Sequence, residues 1–249
     1  MGSVKREFQS QYRESLLGIF WSIINPLAMI VVYTVVFSQV MKGRLKGMDN
    51  VYAYSIYLCS GILTWGFFAD ITQRAQNVFI SNGNMLKKLN FPRLCLPVIV
   101  VISSGINFAI AFGLFTVFLV ISGNFPGIVY LGLIPVLMIQ VAFSIGLGII
   151  LGVLNVFFRD VGQFYGVVLQ FWFWLTPIVY TIEILGKPVQ SFLQLNPMTI
   201  FVGAYQQILV YHKWPDWFGL WPVVSLAIIL CLAGMLLFRR RSGEIVDEL

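Results

Sequence analysis

The chain has 249 residues, of which 59% are hydrophobic and 10% charged, and its mean hydropathy is +0.86. A soluble domain carries about 25% charged residues, so the composition excludes a water-soluble globule and predicts an all-α polytopic membrane protein. The net charge of +6 reads as a topology signal in its distribution, not as a nucleic-acid surface.

At the start, Phe8, Tyr12 and Leu16 recur every four residues, while Lys5, Arg6, Glu7, Arg13 and Glu14 fall elsewhere. That spacing predicts an interfacial helix over residues 1–15, apolar side down in the headgroup plane. Its charged face either docks a partner or belongs to a plain anchor. Six apolar stretches then reach the ~20 residues needed to cross a bilayer: 16–41, 52–72, 94–122, 128–158, 161–182 and 217–238. The first begins too late, and lacks a small-residue cleavage site, for a secretory signal. Met1-Gly2-Ser3 reads as a cloning junction.

Between spans two and three, RAQNVFISNGNMLKKLNFPR (74–93) is the longest expected cytoplasmic loop. Asn84 is placed to cap a short helix over Met85–Leu89 that Phe91-Pro92 stops, with Lys87 and Lys88 toward water or phosphate headgroups. Span four contains Gly146, Gly148 and Gly152, the last two spaced as GxxxG. Small residues let backbones approach closely, here either within one bundle or across a dimer. Arg159-Asp160 forms the turn into span five. Read blandly, this turn and the 74–93 loop are both solvated connections.

Span five carries Phe171-Trp172-Phe173-Trp174. At about 100° per residue these rings point to every side of a helix. Counted from Val161, Phe171 lies about 15 Å and Trp174 about 20 Å along the axis. That is mid-membrane to outer third of a ~30 Å core, a poor fit to a headgroup belt. Rings are platforms for the apolar faces of sugars and attract without trapping. Trp21, Tyr33, Phe37, Trp65 and Phe68 in the first two spans add to such a lining, although the same rings also suit ordinary helix packing.

Residues 189–211 are long enough to span but hold Gln190, Gln194, Asn196, Pro197, Gln206 and Gln207. Orientation decides their topology. With the N-terminus inside, the inner side receives Lys5, Arg6, Arg13, Arg74, Lys87, Lys88, Arg93, Arg159, Arg239, Arg240 and Arg241, 11 in all. The outer side receives 5, namely Lys42, Arg44, Lys46, Lys187 and Lys213. The excess places both termini in the cytoplasm, with the Lys42–Lys46 cluster running against it. A seventh span would put Arg239–Arg241 outside. Irregular backbone at membrane depth must be buried in protein or line a wet cavity, so one or two helices dipping from the outer face, broken near Asn196-Pro197, are expected. A surface-lying amphipathic helix is the alternative.

No P-loop motif is present, so the chain itself does not bind ATP in that way. Proton- and ion-coupled carriers place ionisable groups inside their spans, whereas Asp70, Arg159 and Asp160 sit at expected span ends, where snorkelling accommodates them. A passive pore, or a protein powered by a separate subunit, remains. Cys59, Cys95 and Cys231 and the single His212 show no ligand spacing. They read as buried small hydrophobes and a lone imidazole rather than a metal site.

Five stretches are similar, in order, to one family: YRESLLGIFWSIINPL (12–27), LKKLNFPRLCLP (86–97), NVFFRDVGQ (155–163), LTPIVY (175–180) and LNPMT (195–199). On these motifs the chain resembles the bacterial polysaccharide-export ABC permeases, membrane subunits that export lipid-linked O-antigen, capsule or teichoic acid. The resemblance covers the chain as one permease domain, residues 1–249. Its parts are an interfacial helix (1–15), spans one to five (16–182), an outer gate segment (183–216), span six (217–238) and a cytoplasmic tail (239–249). Members often have a longer N-terminal segment, so a truncated start is expected.

The resemblance implies a homodimer in the bacterial inner membrane with two copies of a separate ABC ATPase, which binds ATP and Mg. This chain then has no catalytic residue, cofactor or metal of its own, contacts membrane lipids, and binds no nucleic acid. The N-terminal helix and the 74–93 loop are implied to meet the ATPase, making Arg6, Glu7, Lys87, Lys88, Arg93, Arg159 and Asp160 coupling candidates. Asn196, Pro197 and Tyr205 fall in the implied outer gate. A channel between protomers, lined by aromatic residues, is implied to carry undecaprenyl-linked glycan past Phe171, Trp172, Trp174 and Tyr180. The expected cargo is O-antigen of lipopolysaccharide, with capsule or teichoic acid as the alternative and a hydrophobic drug less favoured. A membrane glycosyltransferase needs paired carboxylates or metal ligands, and the outer acids Asp49, Glu183 and Asp216 form no such pair in sequence.

Overall fold

The computed structural model describes residues 20–36, 50–83 and 95–245. Eight α-helices are described: α1 (Trp21–Thr34), α2 (Ala53–Ser81), α3 (Cys95–Ile121), α4 (Leu133–Phe157), α5 (Asp160–Trp174), α6 (Lys187–Gln194), α7 (Pro197–Leu209) and α8 (Trp221–Arg241). Short 3-10 turns cover Gly127–Gly132 and Ile182–Ile184, and no strand occurs among the described residues.

Among the described residues, three helices are long and apolar enough to cross a membrane: α3, α4 with the turn that precedes it, and α8. At 1.5 Å per residue, the 27, 25 and 21 residues of α3, α4 and α8 span about 40, 38 and 32 Å, against a ~30 Å hydrocarbon core. Fewer helices meet this test than the six spans expected from the sequence. With 15 residues, α5 is shorter than a perpendicular crossing needs.

Although α2 has the length, 29 residues, its sequence is diluted by polar side chains. Ser55, Ser60, Thr64, Thr72 and Gln76 are all buried. Several satisfy themselves on their own helix: the Thr64 hydroxyl donates to the Ser60 carbonyl at 2.7 Å, and Thr72 to Phe68 at 2.9 Å. This back-bonding lets hydroxyls sit in an apolar interior without an orphan donor.

Two boundaries depart from expectation. The expected span 161–182 stops as a helix at Trp174, two residues before Thr176, the position that Pro177 biases away from helical backbone. The expected loop 74–93 instead begins as helix, since α2 runs on to Ser81. There Arg74 pairs with Asp70 one turn earlier at 3.0 Å and donates to the Ser103 hydroxyl at 2.9 Å. The pair is suited to the i,i+4 spacing of a continuing helix.

The described residues fall into two compact units. One takes the chain up to Trp65, then Gly105–Val136 and Thr176–Asp216; the other takes Gly66–Ser104, Leu137–Leu175 and the chain from Trp217. In the first, α7 is largely buried. Met198, Phe201, Val202, Tyr205, Ile208 and Leu209 are all buried, and the Tyr205 ring meets Phe112 edge-on at 6.2 Å. Burial on that scale leaves the surface-lying alternative for 189–211 to α6 alone. The break between the two helices falls at Asn196, as expected. Its side chain accepts the Met198 amide at 3.0 Å as an N-cap, and Pro197 takes the first helical position.

In the second unit, Ala75, Val78 and Phe79 of α2 pack with Val100 of α3, Val153 of α4 and Phe238 of α8. The Phe79 and Phe238 rings stack at 5.6 Å. Between lipid-crossing helices, close packing carries the association because lipid tails are as apolar as the partner helix. The glycines of α4 permit it. A Cβ on Gly146 would stand 2.7 Å from the Cys231 amide nitrogen, and one on Gly152 would stand 2.7 Å from the Ala75 carbonyl oxygen. Of the two readings of the GxxxG spacing, Gly148 and Gly152 serve the one within the chain: a Cβ on Gly148 would reach Ala75 Cβ at 2.6 Å.

Candidate functional site

Three arrangements carry the chemistry. The first is a face of α5. Its helical spacing places Phe164, Val167, Phe171 and Trp174 on one side, and all are exposed, Phe171 by 67% and Trp174 by 61%. Gln163 and Gln170 are exposed beside them. Trp172 turns the other way, and its ring meets Phe68 edge-on at 5.2 Å while Phe68 stacks on Phe143 at 5.6 Å. The four consecutive rings therefore separate into presented and packed members. Phe173 is half-buried with its ring edge-on to Trp174 at 5.5 Å.

Of the other aromatic candidates, Phe68 and Trp65 are buried, Trp21 is exposed and Tyr33 half-buried. Phe68 is wholly buried and packs against the Trp172 ring. Phe164 and the two glutamines are the members of this face that sequence reasoning missed, and the i, i+3, i+7 spacing from Gln163 and Phe164 is the signal that marks them.

The second arrangement is the turn from α4 into α5. Arg159 and Asp160 are both exposed there, with Asp160 in the first turn of α5, where a carboxylate is favoured by the helix dipole. Behind them stands Asn155, 2% exposed. Its Oδ1 accepts the Gly162 amide at 3.0 Å, while its Nδ2 donates to the Gln76 carbonyl and to Asn77 Oδ1, each at 3.2 Å. One amide side chain thus ties the start of α5 to α2. A Cβ on Gly162 would lie 2.9 Å from Gln76 Nε2, so any side chain there would push the Gln76 amide aside.

The third arrangement surrounds residues 176–183 in the first unit. The Tyr57 hydroxyl lies 3.1 Å from both the Pro177 and Tyr180 carbonyl oxygens, sharing one proton between them. Tyr54 donates to the Val179 carbonyl at 2.5 Å, and Asn196 Nδ2 donates to Thr176 Oγ1 at 3.1 Å. The LTPIVY stretch is irregular backbone held by side chains, which is how such backbone survives away from water. Tyr180 is half-buried and contributes its carbonyl to this lacing. Tyr205 is wholly buried in packing.

Beside this stretch lies a cavity of about 460 Å³, lined among others by Tyr57, Glu183, Gln206, Gln207, Tyr211 and Trp214. Lys213 and Asp216 stand at it too. The loop that carries them is fixed to α7: the Lys213 amide donates to the Gln207 carbonyl at 3.0 Å and the Asp216 amide to Gln207 Oε1 at 3.1 Å. His212 adopts a φ of 53°, a left-handed conformation that costs a non-glycine residue energy and is retained where the surroundings impose it. Partial burial, and then the neighbouring Glu183 carboxylate, raise the Tyr211 phenol above its ordinary value. The raised value favours the protonated hydroxyl, so Tyr211 remains a donor at neutral pH.

Phe37, Arg6, Glu7, Lys87, Lys88 and Arg93 lie outside the described residues, as do the expected interfacial helix over 1–15 and the Asn84 cap.

The sequence pattern of the family described as ABC-2 type transporter matches residues 2–210. The chain is 30% identical to the O-antigen export system permease protein RfbA of Myxococcus xanthus over 249 residues, 99% of this chain and 93% of that protein. It is 29% identical to the protein of the same name from Klebsiella pneumoniae, over 82% of this chain and 77% of the relative. The polysialic acid transport protein KpsM of Escherichia coli is 17% identical, over 98% of this chain and 93% of its own length.

Proposed function

Because this chain belongs to the ABC-2 type transporter family, we propose that it is the membrane permease subunit of an ATP-driven exporter of lipid-linked polysaccharide. Its cargo in this reading is the undecaprenyl-linked O-antigen of lipopolysaccharide. The observation that carries the proposal is the end-to-end similarity to an O-antigen export permease. A capsule exporter is the second reading, favoured by the more distant polysialic acid transporter. The proposal includes six spans with both termini in the cytoplasm of a bacterial inner-membrane protein, and a homodimer with two separate ATPase subunits. Residues 183–216 form its outer gate, with Asn196 and Pro197 setting the break between the gate helices.

The chemistry of the α5 face supports this reading. Phe164, Phe171 and Trp174 offer flat apolar surfaces to the C–H faces of sugar rings, while Gln163 and Gln170 exchange hydrogen bonds with hydroxyls. The α5 residues between Asp160 and the C-terminus of the helix include no charged side chain, so a polymer meets many weak contacts and no deep electrostatic trap. At the other end of α5, the exposed Arg159 and Asp160 form a contact point for an ATPase. A push there reaches α2 through Asn155.

The test is deletion of the gene followed by complementation. Surface O-antigen is expected to vanish and lipid-linked polymer to accumulate inside, with both restored by the wild-type chain. Unchanged surface polymer in the deletion strain sinks the proposal.

A further inference from the structure

The cavity at Tyr57, Glu183, Gln206, Gln207, Tyr211 and Trp214 belongs to no part of the α5 face. Its volume of about 460 Å³ lies within the ~300–1,000 Å³ typical of small-ligand sites. The lining is mixed in a particular way. Trp214 and Tyr211 are partly exposed rings, suited to the apolar face of a pyranose. Gln206 and Gln207 contribute amides, and Glu183 and Asp216 carboxylates, which accept from hydroxyl groups.

Charge decides between the ligands such a lining admits. Two carboxylates face the cavity against one ammonium, that of Lys213. A phosphate, a pyrophosphate or an acidic sugar would meet a net negative wall, whereas a neutral polyhydroxyl ligand loses nothing. The walls are also prearranged. The loop holding Lys213 and Asp216 is bound to Gln207, and the Trp214 ring packs so closely on Gly132 that a Cβ there would stand 3.3 Å from it. A ring already held in place loses little freedom on binding.

We propose that this cavity is a neutral-sugar subsite, holding one or two uncharged monosaccharide units of the exported glycan by stacking on Trp214 and hydrogen bonding to Glu183 and Gln206. The inference rests on the export reading and adds to it a binding site separate from the α5 face. Such a site engages the chain beside the laced LTPIVY stretch, and it selects against acidic repeat units at that position.

The experiment uses the full-length chain in detergent and saturation-transfer NMR. The probes are neutral disaccharides of mannose, galactose and rhamnose, the repeat-unit oligosaccharide released from the source strain's own surface polymer, N-acetylneuraminic acid, and inorganic pyrophosphate. A neutral probe is expected to bind, and Glu183→Gln is expected to weaken it about tenfold, the loss of one charge-assisted hydrogen bond. Trp214→Phe, which preserves packing on Gly132, is expected to weaken it less than Trp214→Ala does. An unchanged unfolding temperature certifies the variants, and if Trp214→Ala fails to fold, Glu183→Gln decides. Silence from every neutral probe overturns the proposal, as does indifference to Glu183→Gln, preference for the acidic sugar, or displacement by pyrophosphate. Gene deletion separates the two ideas: lost surface polymer with no binding at the cavity retires the subsite alone, and retained surface polymer retires the export reading whatever the cavity binds.

Discussion

Asn155 Oδ1 accepts the amide hydrogen of Gly162 at 3.0 Å across the α4–α5 turn, so a buried side chain joins the turn's own backbone bonds in fixing where α5 begins. The same side chain donates to Gln76 and Asn77 of α2. The exposed pair Arg159 and Asp160 rides on this clamp. Any force applied at the turn is delivered to two helices together.

Asn155→Ala takes from the Gly162 amide its 3.0 Å acceptor, leaving the longer 3.4 Å contact with the Arg159 carbonyl, and from Asn77 Oδ1 its donor. The expected cost is roughly 0.5–1.5 kcal/mol for each hydrogen bond lost. Thermal unfolding of the purified chain should show it as a lowered midpoint. In the assembled exporter, ATP hydrolysis is expected to persist while polymer export falls. Export at the wild-type level in a destabilised Asn155→Ala variant would separate the clamp from coupling.

Gly152→Leu is expected to be far more damaging than Gly113→Leu. The Cβ of residue 152 would meet the Ala75 carbonyl oxygen at 2.7 Å, while nothing lies within 4 Å of one at residue 113. Backbone cannot step aside as a flexible side chain does, and overpacking costs about 1–3 kcal/mol or more. Yield and unfolding midpoint of the two variants, compared side by side, measure the difference.

The rings of α5 should divide by function. Phe171→Ala and Trp174→Ala remove exposed rings, and the expected outcome is reduced surface polymer at an unchanged unfolding midpoint. Phe68→Ala empties a wholly buried site, for which about 3–5 kcal/mol of stability is the usual loss. Export and unfolding measured on the same variants tell presentation from packing. Normal export in a Phe171→Ala, Trp174→Ala double variant would remove the α5 face from the transport path.

Asn196→Ala removes the cap of α7 and the hydrogen bond to Thr176. Loss of an N-cap costs about 1 kcal/mol, and loosening the laced stretch at Thr176 adds to it. Faster hydrogen exchange confined to residues near 196–200 and 176–180 is the expected signature. Asn196→Asp keeps the capping acceptor but not the donor to Thr176, so it should restore protection to α7 alone.

Much of the fold was legible in the residues. The long apolar runs of α3, α4 and α8 reveal themselves by length and composition, because nothing except lipid or deep burial accommodates them. The break at Asn196-Pro197 is legible too, since a capping side chain before a proline is a local instruction. Less legible was the length of α2, because Arg74 reads as a loop charge until Asp70 and Ser103 are seen around it. The end of α5 was misplaced for the opposite reason. Residues 175–182 are apolar enough to extend a span, yet the helix ends at Trp174, ahead of Pro177, and distant tyrosines hold the backbone of residues 177–180.

Composition and motif order alone establish a helical membrane protein of a transporter family, since neither depends on a contact between distant residues. It took the folded chain to settle which of the four rings at 171–174 face outward, which helices the α4 glycines admit, and why Asn155 and Gly162 stand seven residues apart. Those answers depend on what approaches from α2 and α8, and no local pattern contains the identity of a neighbour.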